Sequence, residues 1–145
     1  MILEDMILKN IKDMPPSGIR KYFDLVNEME DVISLGVGEP DFVTPWNVRE
    51  AGIYSLEKGH THYSSNAGFI ELRDEISKYL KRRCNLEYDP KEEIIVTVGG
   101  SEGIDLAIRA LIGPGDEIII PEPSFVAYKG CAAFAGGTVK IIDLK

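Results

Sequence analysis

The chain has few of the residues that hold metals or build disulfide frameworks. Its 145 residues include two cysteines, Cys84 and Cys131, and two histidines, His60 and His62. The cysteines stand far apart with no C-x-x-C spacing, so we expect neither a disulfide scaffold nor a metal site. Both thiols are predicted to be reduced groups that pack in the interior, which is typical of a cytoplasmic protein.

Long apolar runs and basic stretches are also missing. No segment approaches the length of a transmembrane helix, and charged residues interrupt the apolar N-terminus, which argues against a signal peptide. The formal net charge of -8 argues against nucleic-acid and membrane partners. The one dense basic cluster, 81–83, is predicted at the end of a helix, where cations interact favourably with the helix dipole.

The remaining composition is that of a globular protein, with 44% hydrophobic and 28% charged residues. A length of 145 residues allows one domain or a piece of a larger one. Apolar spacing predicts helices over 1–13, 19–30, 46–58, 69–84, 101–112 and 124–135, and strands over 31–38, 93–98, 117–122 and 138–144. Two consecutive βα units with nearly continuous apolar strands indicate an α/β fold with a mainly parallel sheet.

Two boundary features sharpen this prediction. Thr44 is expected to cap the helix that Pro45 opens. The last strand has no following helix to cover its face, so we expect the sheet to continue in further sequence or in a partner.

The most informative feature is the junction where an apolar strand meets a helix. Gly99 and Gly100 permit a tight turn, and Ser101 is predicted to cap the helix. The N–H groups of Ser101, Glu102 and Gly103 would then be unpaired donors at the positive end of a helix dipole, which suits a phosphate. An ordinary capped turn between strand and helix is the alternative. The spacing is neither G-x-G-x-x-G nor G-x-x-x-x-G-K-[ST], so neither a dinucleotide fingerprint nor a P-loop is present.

Three stretches resemble one family in the right order: SLGVGEPDFVTP, HYSSNAGFIELRDEI and VTVGGSEGIDLAIRALIGPGDEIIIPEPSFVAY. They are similar to the N-terminal part of class I/II aminotransferases, the aspartate aminotransferase family of fold-type I pyridoxal-phosphate enzymes. The resemblance implies an incomplete large domain with a mainly parallel sheet, preceded by an arm and a segment of the small domain. On this basis 1–40 is assigned to the arm and small-domain segment, and 41–145 to the partial coenzyme-binding domain.

The resemblance also implies a cofactor, pyridoxal 5'-phosphate, and residues that hold it. Gly100, Ser101 and Glu102 match the phosphate-binding turn, with the Glu102 carboxylate expected in solvent. Phe125 matches the aromatic residue that stacks on the coenzyme ring, although a core residue at a helix start is the alternative. Tyr63 matches the tyrosine that reaches the phosphate bound by the other subunit, which implies a homodimer. The alternative for Tyr63 is a loop residue covering a helix.

Several polar or flexible positions have weaker assignments. Gly38 resembles the backbone that approaches the substrate carboxylate, and a strand-to-loop turn is the alternative. Glu39 and Asp41 look like paired carboxylates for acid/base work, but the family uses neither as its proton carrier, so they are expected to anchor their loop. His60 and His62 are expected on the surface, and an approach to the site entrance is the other interpretation.

Transamination also needs a lysine that bonds to the coenzyme, and the family places it after the matched region. None of the ten lysines stands in a motif resembling that site, so no catalytic residue is assigned. The sequence therefore predicts the N-terminal part of an enzyme that moves an amino group between an amino acid and a 2-oxo acid, inactive by itself. The alternatives are a non-catalytic dimerising or phosphate-binding module, half of a split enzyme, or a lyase or synthase of the same fold.

Overall fold

The computed structural model describes residues 3–16, 22, 25–26, 29–33, 35, 38 and 40–145. The chain forms two compact units, one comprising Met1–Asp31 with Thr97–Lys145 and the other Val32–Val96. Most of the predicted helix over 19–30 lies outside the described residues. Of the predicted strand over 31–38, residues 31–33, 35 and 38 are described and carry no strand assignment. The domain boundary expected near residue 40 stays a prediction.

The described helices and strands are, in chain order, a 3-10 helix (Leu3–Met6), α1 (Lys9–Lys12), α2 (Trp46–Glu57), α3 (Ile70–Cys84), α4 (Gly99–Leu111), β1 (Glu117–Glu122), α5 (Ala127–Ala135) and β2 (Thr138–Asp143). Within the described part of the chain, no helix is long and apolar enough to cross a membrane. Nor do the described residues contain a group of three or more His, Cys, Asp or Glu side chains that could hold a metal ion.

The first unit contains a parallel pair of strands joined by a helix. β1 and β2 run in register from Glu117 opposite Thr138 to Glu122 opposite Asp143, and α5 makes the crossover between them. This is the βαβ arrangement predicted from the apolar runs. Among the described residues of this unit, the buried hydrophobic side chains come from α4, β1 and α5: Ile108, Ile120, Cys131 and Ala132.

The strand predicted over 93–98 is wrong for this structure. Residues 94–97 carry no strand assignment, and the N–H of Val96 bonds instead to the carbonyl of Ala67 at 3.0 Å. An apolar β-branched run becomes a strand only when a neighbouring backbone supplies a ladder of partners. Neither β1 nor β2 supplies one, so the described sheet has two strands.

The second unit contains α2 and α3. The residue that caps α2 is Pro45, with no side-chain hydrogen bond, so the predicted Thr44 cap is wrong. α3 starts after Phe69 and ends at Asn85, whose φ of 56° lies in the left-handed region and stops the helix. The basic residues 81–83 occupy its last turn, as predicted.

The buried face of α3 differs from the predicted one. Ile76 and Leu80 are half-buried as expected, but Leu72 and Tyr79 are 47% and 50% exposed. The buried residue is Arg73, at 8% exposure. Its guanidinium donates a hydrogen bond to the carbonyl of Lys91 at 3.2 Å, and this bond connects the segment after α3 to the helix.

Candidate functional site

The candidate site lies at the carboxyl end of β1. α4 has 13 residues and rises about 20 Å at 1.5 Å per residue. The six residues of β1 also span about 20 Å at 3.3 Å per residue. Side chains of both elements line a shared apolar groove of about 300 Å³, so the helix lies along the strand. In parallel α/β units the N-terminus of a covering helix lies at the carboxyl end of the strands, so the N-terminus of α4 is expected near the carboxyl end of β1. Ligands of parallel α/β sheets bind at this end.

The turn that enters α4 is built around a left-handed glycine. Gly99 has a φ of +76°, a conformation that residues with a Cβ rarely adopt. Its N–H donates to the carbonyl of Thr97 at 2.9 Å, and the Thr97 hydroxyl donates to the carbonyl of Gly99 at 2.9 Å. The helix begins at Gly99 with Val98 as its capping residue, and the Val98 side chain makes no capping hydrogen bond. The predicted Ser101 cap is therefore wrong, because the glycine turn starts the helix two residues earlier and puts Ser101 in its first turn.

This earlier start changes which backbone donors are free. In an α-helix capped at Val98, the first helical bond joins the N–H of Glu102 to the Val98 carbonyl, and Gly103 is also inside the ladder. The Val98 N–H donates to the Glu102 carboxylate. The donors left without a partner inside the helix are the N–H groups of Gly100 and Ser101. Of the three amides predicted to be free, Ser101 remains, while those of Glu102 and Gly103 are taken up by the helix.

The residues of this turn fit a phosphate group. A Cβ built on Gly99 or Gly100 meets no atom within 4 Å, so the backbone is open to a ligand. Ser101 is exposed and carries a hydroxyl beside its N–H. Two aimed amides, a hydroxyl and a helix dipole are the donor set that binds a dianion. Glu102 is exposed, as expected, and its carboxylate also accepts a hydrogen bond from the N–H of Val98.

Phe125 follows β1 by three residues and lies at the same end of the sheet. Its ring is 48% exposed and meets the Tyr128 ring edge-on, with centroids 5.8 Å apart and planes at 88°. An ion pair between Lys129 and Glu122 joins α5 to the end of β1. Phe125 also lines a cavity of about 650 Å³. A half-exposed ring on a cavity wall has surface available for stacking, unlike the fully buried ring of the core alternative.

Tyr63 and Gly38 belong to the second unit. Tyr63 is fully exposed, so the alternative in which it covers a helix is wrong within the described residues. An exposed tyrosine of this kind is available to another chain. Gly38 is also exposed, and a Cβ built on it meets nothing within 4 Å. Both positions stay predictions as site residues.

The remaining polar candidates do not assemble into a cluster. His60 and His62 are exposed, as the surface interpretation predicts, and Asp41 is exposed as well. Glu39 lies outside the described residues. Cys131 is buried as predicted, whereas Cys84 is exposed and does not serve as an interior packing thiol.

A side-chain cluster that the sequence interpretation missed joins α4 to α5. The Arg109 Nε lies 2.7 Å from the Asp105 Oδ2, and this ion pair lowers the pKa of Asp105. Burial raises the pKa of the Cys131 thiol, and the neighbouring Asp105 charge raises it further. The four-residue spacing of Asp105 and Arg109 was a visible signal for the ion pair. The cluster holds together the two helices that lead to the site.

Comparisons with known proteins agree on one family. Residues 30–145 match the sequence profile described as aminotransferase class I and II. A Bacillus subtilis (strain 168) protein that carries the name of an aminotransferase, YugH, is 61% identical over 127 residues, which covers 88% of this chain and 33% of that protein.

Two crystal structures show a similar fold. A Pyrococcus protein, A1, is 40% identical with a TM-score of 0.88, covering 99% of this chain and 36% of that one. The aspartate aminotransferase of Thermotoga maritima is 34% identical with a TM-score of 0.84, covering 96% and 38%. The chain thus spans about a third of the length of the relatives that it matches.

Proposed function

The chain belongs to the class I and II aminotransferases, a family of pyridoxal-phosphate-dependent enzymes of fold type I, and from this premise we propose that it is the N-terminal part of such an enzyme. The whole protein transfers an amino group between an amino acid and a 2-oxo acid. The observation that carries the proposal is the open backbone at the start of α4, where the amides of Gly100 and Ser101 have no partner inside the helix.

Each residue of the turn has a defined task in this proposal. The N–H groups of Gly100 and Ser101, with the Ser101 hydroxyl, bind the coenzyme phosphate, and the dipole of α4 adds to their attraction. Glu102 completes the turn. Phe125 supports the coenzyme ring by stacking, and its half-exposed ring supports that role. When bound, pyridoxal phosphate supplies the carbonyl group that carries the amino group and an electron sink for the reaction.

The substrate and partner assignments follow from the same proposal. The backbone at Gly38 approaches the substrate carboxylate, where the absence of a Cβ leaves room. Tyr63 reaches the phosphate site of a second subunit, so the enzyme works as a cytoplasmic homodimer, and the full exposure of Tyr63 supports this role. Residues 1–40 contribute the arm and part of the small domain, and 41–145 contribute part of the large domain. The lysine that bonds to the coenzyme lies outside these 145 residues, and the chain is inactive without it.

Trapping the coenzyme tests this proposal. The full-length protein is mixed with pyridoxal phosphate, the absorbance is recorded, borohydride is added, and the labelled peptide is mapped by mass spectrometry. We expect saturable binding and one reduced lysine adduct outside residues 1–145. An adduct at one lysine within this chain would contradict the lysine assignment, and the absence of saturable binding would contradict the proposed function.

The stacking role of Phe125 has its own test. Phe125→Ala in the full-length protein removes the ring, and a stacked aromatic pair is worth about 0.5–1.5 kcal/mol, so coenzyme affinity should fall about 2- to 10-fold. Phe125→Trp keeps a stacking face and should bind nearly as well as the wild type, while Tyr128→Ala serves as a neighbouring control. Equal affinity of the Phe125→Ala and wild-type proteins would refute the stacking role.

A further inference from the structure

Glu102 is an unexpected residue at a phosphate-binding turn. A carboxylate in the first turn of α4 interacts favourably with the helix dipole, but it repels a dianionic phosphate bound at the same terminus. Neither coenzyme stacking nor helix formation requires an acidic residue at position 102. The hydrogen bond that the Glu102 carboxylate makes gives a different reason for its presence.

The Glu102 carboxylate reaches back one helical turn and accepts a hydrogen bond from the N–H of Val98. This bond closes the entry of α4, where three glycines among the first five helical residues leave the backbone free to change conformation. A carboxylate that satisfies an N–H at a helix start stabilises that start, as in a capping box. Without this bond, Gly99 and Gly100 would have many accessible conformations.

The same bond also determines how many donors face a ligand. The N–H of Val98 is taken by Glu102, and the N–H of Gly99 is taken by Thr97 at 2.9 Å. The amides left over are those of Gly100 and Ser101, which are adjacent and belong to one rigid helical turn. A pre-arranged donor pair binds an anion more tightly than a mobile one, because less entropy is lost on binding.

We propose that Glu102 is a positioning residue of the coenzyme site: its carboxylate holds the N–H of Val98 and thereby fixes the amides of Gly100 and Ser101 toward the phosphate. The inference rests on the proposed function and deepens it. Glu102 acts on the phosphate through the backbone, and its charge is a cost that the turn tolerates.

Two substitutions separate the hydrogen bond from the charge. Glu102→Ala removes the acceptor, whereas Glu102→Gln keeps an acceptor oxygen and removes the charge. Both are made in the full-length protein, and dissociation constants are measured for pyridoxal phosphate and for pyridoxal, which lacks the phosphate. Exchange of backbone amides in peptides that include Val98 is followed by mass spectrometry in the coenzyme-free protein.

We expect Glu102→Ala to weaken pyridoxal phosphate binding by about 5-fold, the effect of losing one helix-capping interaction. Its pyridoxal affinity should be unchanged, and the Val98 amide should exchange faster. Glu102→Gln should stay within about 2-fold of the wild type for pyridoxal phosphate, because the hydrogen bond is retained. If the negative charge of Glu102 were required instead, Glu102→Gln would bind pyridoxal phosphate as weakly as Glu102→Ala.

Three results would overturn the inference. The first is a Glu102→Ala variant that binds pyridoxal phosphate as tightly as the wild type. The second is an equal loss of affinity for pyridoxal and pyridoxal phosphate in that variant. The third is a Glu102→Gln variant that binds pyridoxal phosphate as weakly as Glu102→Ala. A wild-type protein that binds no pyridoxal phosphate would instead refute the proposed function itself, so the two failures are distinguishable.

Discussion

Gly137 connects α5 to β2 at a position where the structure has no room for a side chain. A Cβ built there lies 2.4 Å from the Ile112 Cγ2 and 3.5 Å from the carbonyl oxygen of Ala132. Carbon atoms in contact normally stand about 3.5–4.0 Å apart, so the overlap exceeds about 1 Å. The backbone cannot easily move away, because the Gly137 N–H donates to Ala132 at 3.0 Å and the Thr138 N–H donates to Asp116 at 2.8 Å.

Gly137→Ala should therefore destabilise the protein by about 1–3 kcal/mol, the usual cost of overpacking. In a protein about three times as long as this chain, that corresponds to a fall of roughly 1–4 °C in the melting temperature. Differential scanning fluorimetry of the full-length protein measures the fall. Gly113→Ala is the matched control, because its Cβ would meet only the Asp116 carboxylate at an ordinary 3.8 Å.

A second substitution tests the cause. Ile112→Ala removes the atom that clashes, so Gly137→Ala should cost less in that background than in the wild type, and the two changes should be non-additive. The reasoning fails if Gly137→Ala melts at the same temperature as Gly113→Ala. It also fails if the cost of Gly137→Ala is unchanged by Ile112→Ala.

Two further predictions concern the cluster between α4 and α5. Iodoacetamide at pH 8 should label Cys84 rapidly and Cys131 slowly, because Cys84 is exposed whereas burial and the Asp105 charge raise the pKa of Cys131. Peptide mapping measures both labelling rates. Equal rates in the native protein would contradict this prediction. Arg109 lowers the pKa of Asp105 in the folded protein. The charged carboxylate therefore stabilises the fold at pH values above 3.8, the usual pKa of this group, and the stabilisation is lost as the pH falls through the lowered pKa. The melting temperatures of the wild type and Asp105→Asn should therefore converge below about pH 4, and a difference independent of pH would refute the pairing.

The local patterns that predicted structure correctly are those that need no distant partner. The apolar runs of β1 and β2 were predicted close to their observed positions. A similar run over 93–98 was predicted with equal reason but forms no strand. The difference is the partner: β1 and β2 pair with each other, whereas the N–H of Val96 finds a single carbonyl at Ala67.

The sequence also singled out several residues of the candidate site. The glycines before α4 and Ser101 were singled out by the residue pattern, whereas Phe125 was singled out by the resemblance to the aminotransferases, and their roles in coenzyme binding stay predictions. The capping residue was misplaced, because Ser101 is a preferred cap and Val98 is not. The role of the Glu102 side chain was missed, since a sequence pattern does not show where a flexible carboxylate folds back.

By itself, the sequence determined the membership of this chain in a family, the alternation of α4, β1, α5 and β2, and the place where an open backbone meets a helix terminus. These follow from residue types and spacings along the chain. The folded structure decided that α4 starts at Gly99, that Arg73 is the buried residue of α3, and that Cys131 is buried. Burial and hydrogen bonding depend on which distant segments come together, and that information exists only once the chain is folded.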